Sequence, residues 1–170
     1  MEKCVEKCEV IIGIAQLHVA KAPGRIMTIG LGSCVGVTLY DAYNRIGGMV
    51  HIMLSDSKRF ALKNASEINR AKYADTGITE LLEKMLEMGA DRSNIVAKIA
   101  GGAQMFEINE GNDLLCIGER NIEATREVLA QYGIEIVSED VGLDYGRTIE
   151  LDLDNGNLRV RSVSHDEKII

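Results

Sequence analysis

The sequence predicts an α+β fold, a sheet-rich α/β sandwich with two main helices. About eight short segments are rich in β-branched or alternating apolar residues, and several of them adjoin as hairpins. Two longer segments have apolar residues at helical spacing and end at glycines. Strand-rich runs with only two inserted helices favour a sandwich over a doubly wound sheet, in which strands and helices alternate.

The first half of the chain contains most of the predicted strands. Alternating or β-branched residues predict strands over residues 10–19, 26–29, 35–40 and 49–54. Residues 41–44 have turn chemistry, with Asp and Asn at their ends, so the last two strands are predicted to form a hairpin.

The second half supplies both helices. The apolar spacing of Ile78, Leu81, Leu82, Met85 and Leu86 predicts a helix over residues 71–88. A second helix is predicted over 119–132, and strands over 95–100, 134–137, 147–153 and 158–163. The last two strands flank an Asn-Gly pair, which is a strong hairpin signal, and the charged tail from residue 164 is predicted to be frayed.

Length, charge and composition exclude several classes of protein for this chain. Its 170 residues predict one domain, 1–170, with a core over about 10–163 and loose termini. A net charge of −7 without a basic stretch argues against nucleic-acid binding. With no apolar run of membrane-spanning length and no secretory signal, we expect a cytoplasmic protein with no membrane insertion. We also expect no cofactor and no metal site, because Cys4 and Cys8 lack a second pair of ligands.

Cys34 and His51 are the candidate reactive residues. Glycines at positions 30, 32 and 36 leave little side chain around Cys34, and a thiol with an imidazole is the minimal pair for nucleophilic catalysis by cysteine. If 41–44 is the turn, Cys34 lies directly opposite His51 in the hairpin. A one-residue slip would place them on opposite faces. The alternative is that Cys34 is a small buried hydrophobe and His51 a structural histidine.

Five blocks of sequence follow one another as in the chemoreceptor glutamine deamidase family, CheD. They are Gly30-Leu-Gly-Ser-Cys34, His51-Ile-Met-Leu54, Lys72-Tyr-Ala-Asp75, Ala97-Lys-Ile-Ala-Gly-Gly-Ala103 with Met105-Phe106, and Ile117-Gly-Glu-Arg-Asn121. The chain resembles this family over about residues 12–163. The resemblance implies the sandwich fold of a cysteine hydrolase, which the family shares with some bacterial deamidating toxins.

The resemblance also implies a catalytic triad. Its members match here as Cys34, the nucleophile, His51, the base, and Thr28, whose hydroxyl would fix the imidazole tautomer. The implied reaction converts receptor glutamines to glutamate through a thioester, and the same acyl chemistry extends to receptor methyl esters. Backbone N–H groups at Ser33 and Gly32 are candidate oxyanion donors. If His51 takes the thiol proton at rest, Cys34 should react with iodoacetamide well below pH 8.

Two kinds of partner are implied by the same resemblance. The substrate would be the cytoplasmic helices of chemoreceptors, and the phosphatase CheC is a second partner. Phe106, an aromatic residue at a predicted loop tip, is a candidate contact for either one, although a core position is an equal alternative. The alternative function is a regulatory binding partner of CheC with little catalysis of its own.

Overall fold

Two five-stranded mixed sheets form the framework of the computed structural model, which describes residues 8–60, 68–105 and 116–170. The strands are β1 (Cys8–Ile12), β2 (Leu17–Lys21), β3 (Gly24–Leu31), β4 (Val35–Asp41), β5 (Ile46–Ile52), β6 (Ile95–Gly101), β7 (Ile136–Val141), β8 (Arg147–Asp152), β9 (Leu158–Arg161) and β10 (Lys168–Ile169). The helices are α1 (Ser57–Phe60), α2 (Ala74–Glu87) and α3 (Ile117–Gln131). The prediction of an α+β sandwich is confirmed at this level.

The two sheets draw their strands from alternating parts of the chain. Sheet A has the order β1-β3-β8-β9-β10, and sheet B has the order β2-β5-β4-β6-β7. In sheet A the pair β1–β3 is parallel, and in sheet B the pair β6–β7 is parallel. The single strand predicted over 10–19 is therefore wrong, because its two halves, β1 and β2, belong to different sheets.

Apolar side chains divide the interior into two layers. One layer lies between the sheets and contains Ile26 and Leu31 of sheet A with Met49 and Ala100 of sheet B. The other lies between sheet B and the helices α2 and α3, where alternate residues of β4 such as Val37 pack. Sheet B is thus covered on both sides, and every residue of β4 and β5 is buried.

The helices form where apolar spacing predicted them. The buried face of α2 includes four of the five predicted residues, whereas Leu86 is 39% exposed. The buried face of α3 includes two polar residues, Asn121 and Thr125, beside the apolar ones. Among the residues described, none of the helices has the length and apolarity needed to cross a bilayer.

The C-terminal segment is more ordered than its charge suggests. Lys168–Ile169 pairs with β9, and Leu158 and Ile170 exchange two backbone hydrogen bonds. The Lys98 ammonium donates to the backbone oxygens of Gly156 and Ile170. The prediction that the tail is frayed from residue 164 is wrong, because these bonds attach it to both sheets.

Candidate active site

Thr28 and His51 meet in the layer between the two sheets. Thr28 projects inward from β3 of sheet A, and His51 projects inward from β5 of sheet B. Both residues are 0% exposed. Thr28 Oγ1 lies 2.7 Å from His51 Nδ1, so one hydrogen bond joins the two sheets at this point.

The hydroxyl of Thr28 fixes the tautomer of the imidazole. It lies 2.8 Å from the Ile12 carbonyl oxygen, which can only accept a hydrogen bond, so the single hydroxyl proton goes there. Thr28 Oγ1 must then accept from His51, which places the ring proton on Nδ1. Ile12 stands beside Thr28 because β1 pairs with β3 in that register. His51 Nε2 is left with an unprotonated lone pair and, within the described residues, no hydrogen-bond partner.

Cys34 immediately precedes β4, at the end of the same inter-sheet layer. Its side chain is half-buried and packs against the apolar cluster between the sheets. Its carbonyl accepts a 2.8 Å hydrogen bond from Gly102 N. Gly101 has a positive φ of 108°, and a Cβ there would collide with the Cys34 carbonyl, so glycine is required for this close approach. The layer that contains the Thr28–His51 bond thus also contains the thiol.

The hairpin register differs from the predicted one by two residues. His51 lies opposite Gly36, and Cys34 lies one position before the first paired residue of β4, Val35. Asp41 belongs to the strand rather than to the turn, and its carboxylate accepts the backbone N–H groups of Tyr43 and Asn44. The prediction that Cys34 stands directly opposite His51 is wrong. A two-residue shift nevertheless preserves the face of the sheet, so both residues remain on the inter-sheet side.

Burial keeps both candidate reactive groups uncharged. It raises the pKa of the Cys34 thiol above its ordinary value, because the thiolate is poorly solvated there. It lowers the pKa of His51 to about 4, because the imidazolium is disfavoured in the same way. No hydrogen bond joins Cys34 to His51 in the described structure. At rest the inter-sheet layer therefore contains a neutral thiol and a neutral imidazole.

Alkylation of Cys34 tests this neutral pair. We expect iodoacetamide to label Cys34 at higher pH than it labels free N-acetylcysteine, because the thiolate is the reactive form and burial raises the pKa. A pH series read by peptide mass spectrometry measures the profile. Labelling of Cys34 well below pH 8 would contradict this expectation and restore the thiolate–imidazolium pair that the sequence suggested.

The backbone around Cys34 offers oxyanion donors, but Gly32 is not one of them. Gly32 N donates to the Gly30 carbonyl at 3.1 Å, so this predicted donor is already engaged. Within the described residues, no hydrogen bond uses the backbone N–H of Ser33 or of Cys34. These two groups are the ones that remain available to a developing negative charge.

Replacing Thr28 with valine tests the orienting bond. Thr28→Val is nearly isosteric, but it removes the hydrogen bonds that Thr28 makes with His51 Nδ1 and with the Ile12 carbonyl. We expect kcat for the reaction that the resemblance implies to fall about 10- to 100-fold, the scale on which loss of a partner that orients a metal-bound histidine lowers activity. Thr28→Ser retains the hydroxyl and is the matched control. Equal turnover by Thr28→Val and the wild type would remove Thr28 from the site.

Two contributors to the site had no recognisable signal in the sequence. The Ile12 carbonyl is backbone, and its part depends on the parallel pairing of β1 with β3. Asn121 carries no local pattern that names its partner, whereas its buried side chain bonds the loop that carries Cys34. Phe106 lies outside the described residues, so its predicted contact stays a prediction. Within the described residues, no group of three His, Cys, Asp or Glu side chains is arranged to hold a metal ion.

Comparisons with known proteins cover most of the chain. The family model described as CheD chemotactic sensory transduction matches residues 53–162. A protein of Lachnoclostridium phytofermentans named probable chemoreceptor glutamine deamidase CheD is 51% identical over 159 residues, which are 94% of this chain and 96% of that one. Chemoreceptor glutamine deamidase CheD of Halalkalibacterium halodurans is 49% identical over the same shares of the two chains. That of Bacillus velezensis is 44% identical over 97% of this chain and 98% of its own.

The segments of Thr28, Cys34 and His51 are covered by the full-length relatives and not by the family model. The family model covers the segment after His51 and the helix that carries Asn121, and the full-length relatives cover nearly all of both chains. Similarity at this level, over nearly equal lengths, is that of homologous proteins with one fold. The chain belongs to the CheD family.

Proposed function

We propose that this protein deamidates glutamine side chains of chemoreceptors, with Cys34 as the nucleophile, His51 as the proton acceptor and Thr28 as the residue that orients the imidazole. The named relatives support the substrate class. The observation that carries the chemistry is the Ile12–Thr28–His51 chain of hydrogen bonds, because it aligns a buried imidazole with its basic nitrogen unprotonated.

The first half-reaction forms a thioester. As the thiol sulfur attacks the glutamine Cδ, its proton passes to His51 Nε2, so no free thiolate accumulates at rest. The carbonyl oxygen becomes an oxyanion, which the backbone N–H groups of Ser33 and Cys34 stabilise. His51 then returns the proton to the amide nitrogen, the C–N bond breaks, and ammonia leaves.

The second half-reaction releases glutamate. Water gives a proton to His51 Nε2 as its oxygen attacks the thioester carbon, and the same proton returns to the departing sulfur. The product is a carboxylic acid, which gives its remaining proton to solvent, so the receptor keeps a carboxylate and the protein regains its neutral pair. Thr28 accepts from the imidazolium with a neutral hydroxyl, which stabilises that cation less than a carboxylate would, so we expect slow turnover.

The test is the reaction itself. The protein is incubated with the purified cytoplasmic fragment of a chemoreceptor in ¹⁸O-labelled water, and peptides are read by mass spectrometry. We expect specific glutamines to become glutamates that contain one ¹⁸O atom, and hydroxylamine added during turnover to convert part of the product to hydroxamate. Conversion without ¹⁸O, or no conversion at all, would contradict the proposal.

The same site would also hydrolyse receptor methyl esters, with methanol leaving in place of ammonia. The competing role, a regulatory partner of CheC with little catalysis, does not require a buried imidazole whose tautomer is fixed from a second sheet. The Thr28–His51 bond therefore favours the enzyme, and binding to CheC is compatible with it. We also propose that the fold is of the cysteine-hydrolase type found in some bacterial deamidating toxins.

A further inference from the structure

Asn121 is an unusual residue for its position. It lies in the first half of α3 and is 1% exposed, on a buried helix face that also carries Thr125 and apolar residues such as Ile122 and Leu129. Asparagine is a weak helix former, and a buried amide loses its hydration. Its Oδ1 has no hydrogen-bond partner within the described residues, so the amide is only partly satisfied. An apolar residue would pack this face at lower cost, which points to a role other than stability.

The amide nitrogen of Asn121 joins two segments of the candidate site. Nδ2 donates to the Ser33 carbonyl at 2.9 Å and to the Met53 carbonyl at 3.0 Å. Both acceptors are carbonyl oxygens, so the group that faces them must be the NH₂, and both of its hydrogens are used. Ser33 directly precedes Cys34, and Met53 follows His51 by two residues.

These bonds form where two strands separate. The last pair of the β4–β5 ladder is Val35 with Ile52. Beyond it the chain turns away, and the backbone N–H groups of Met53 and Leu54 both donate to the Lys72 carbonyl instead. The Asn121 side chain bonds both segments where the next backbone pair of the ladder would form. It therefore holds the start of β4 and the end of β5 at a fixed separation, next to Cys34.

The bond to Ser33 also sets the direction of a neighbouring donor. The Ser33 carbonyl and the Cys34 N–H belong to one planar trans peptide group, so they point in opposite directions. Fixing the carbonyl against Asn121 fixes the Cys34 N–H pointing away from α3. The next peptide group is fixed as well, because the Cys34 carbonyl accepts from Gly102 N. Both peptide groups that flank the sulfur are therefore held by hydrogen bonds.

We propose that Asn121 is a positioning residue that orients the backbone N–H of Cys34 toward the oxyanion of the reaction. This inference rests on the proposed function, because it needs Cys34 as the nucleophile. It assigns the catalytic effect of Asn121 to one step, the stabilisation of the tetrahedral intermediate, and not to the reactivity of the thiol.

The test separates these two steps with one pair of variants. Asn121→Leu removes both hydrogen bonds at similar volume. Thr125→Val, one turn further along the same buried face, is the matched control, because the Thr125 hydroxyl has no partner within the described residues. Deamidation of a receptor cytoplasmic fragment passes through an oxyanion, whereas alkylation of Cys34 by iodoacetamide is a direct displacement that forms none.

For Asn121→Leu we expect kcat to fall about 100-fold, the usual effect of losing one oxyanion donor, while KM and the alkylation rate of Cys34 stay near wild type. Thr125→Val should match wild type in all three. A fall in kcat that is matched by an equal fall in alkylation would show a general loss of structure, and an unchanged kcat would show no role. Either result overturns the proposal.

Asn121→Asp gives an independent readout if the leucine variant does not fold. Its carboxyl has the same shape, but it donates to a carbonyl only when protonated, so deamidation by this variant should fall as pH rises, while wild type keeps its own profile. A profile parallel to that of wild type would overturn the proposal. Cys34→Ala, measured in parallel, tests the underlying function. If Cys34→Ala still deamidates the receptor fragment, Cys34 is not the nucleophile. If Cys34→Ala is inactive but Asn121→Leu deamidates at the wild-type rate, only the role of Asn121 is wrong.

Discussion

Cys34→Ala should lose deamidation by at least about 10³-fold, the scale on which hydrolases lose activity with their nucleophile. The fold should survive, because a single sulfur is lost from a half-buried position at a strand end, at a cost of about 1 kcal/mol. Receptor conversion measured by mass spectrometry gives the rate, and thermal unfolding gives the stability.

Cys116→Ala is the control for this prediction. Cys116 is also half-buried, but it precedes α3 and is not among the residues that join Thr28, His51 and the Cys34 loop. The Cys116→Ala variant should deamidate receptor glutamines at the wild-type rate. A Cys34→Ala protein that converts glutamine as fast as Cys116→Ala would end the assignment of Cys34 as nucleophile.

Arg147→Met should be the most destabilising of the substitutions considered. Arg147 is 1% exposed, and its guanidinium donates to the carbonyls of Gly142 and Tyr145 and to Asp140 Oδ1 at 3.2 Å. Its removal leaves these acceptors unpaired, except that Lys168 still lies 3.0 Å from Asp140 Oδ1. We expect a loss of about 3 kcal/mol in the free energy of unfolding, the lower end for a broken buried pair. The melting temperature should fall by about 6–12 °C.

An exposed arginine supplies the comparison. Arg161 also pairs with carboxylates, Glu150 at 3.7 Å and Glu167 at 3.8 Å, but on the outer surface of sheet A. Arg161→Met should change the unfolding free energy by about 0–1 kcal/mol. Equal melting temperatures for the two variants would show that the burial of Arg147 adds nothing to the stability of the fold.

The effect of Arg147→Met should also depend on pH. Burial alone would raise the pKa of Asp140, but hydrogen bonds from Arg147 and Lys168 hold it below its ordinary value of 3.8. A lowered pKa in the folded state stabilises the protein above the unfolded pKa, and this contribution is lost as pH falls through the folded value. The difference in unfolding free energy between wild type and variant should therefore narrow below pH 3.8.

The sequence predicted the elements of the site better than their exact pairing. Alternation in β4 and β5 located both strands and placed Cys34 and His51 on one face, which a two-residue shift leaves unchanged. The shift arises because Asp41 ends the strand and caps the turn with its carboxylate. Turn residues such as Asp and Asn predict that a turn exists, but they do not decide which of two neighbouring positions starts it.

Contacts between distant segments could not be predicted from local pattern. The Ile12 carbonyl reaches Thr28 only because β1 pairs in parallel with β3, while the intervening strand β2 joins the other sheet. Asn121 bonds the Ser33 carbonyl from 88 positions away, and a polar residue on an apolar helix face gives no indication of its partner. Periodicity therefore predicted the apolar faces of α2 and α3, whereas the polar network that organises the site depends on how the sheets assemble.

The interleaving of the two sheets affects how the protein is made. As the chain leaves the ribosome, β3 can pair with β1 early, but its second neighbour in sheet A is β8. Thr28 therefore lacks the strand on its other side until residue 147 and beyond have emerged. His51 sits in sheet B, which also needs β6 and β7. Pairings between such distant segments form late in folding. A nascent chain would thus contain Cys34 long before a base is aligned with it, and newly synthesised protein should gain deamidase activity only after release.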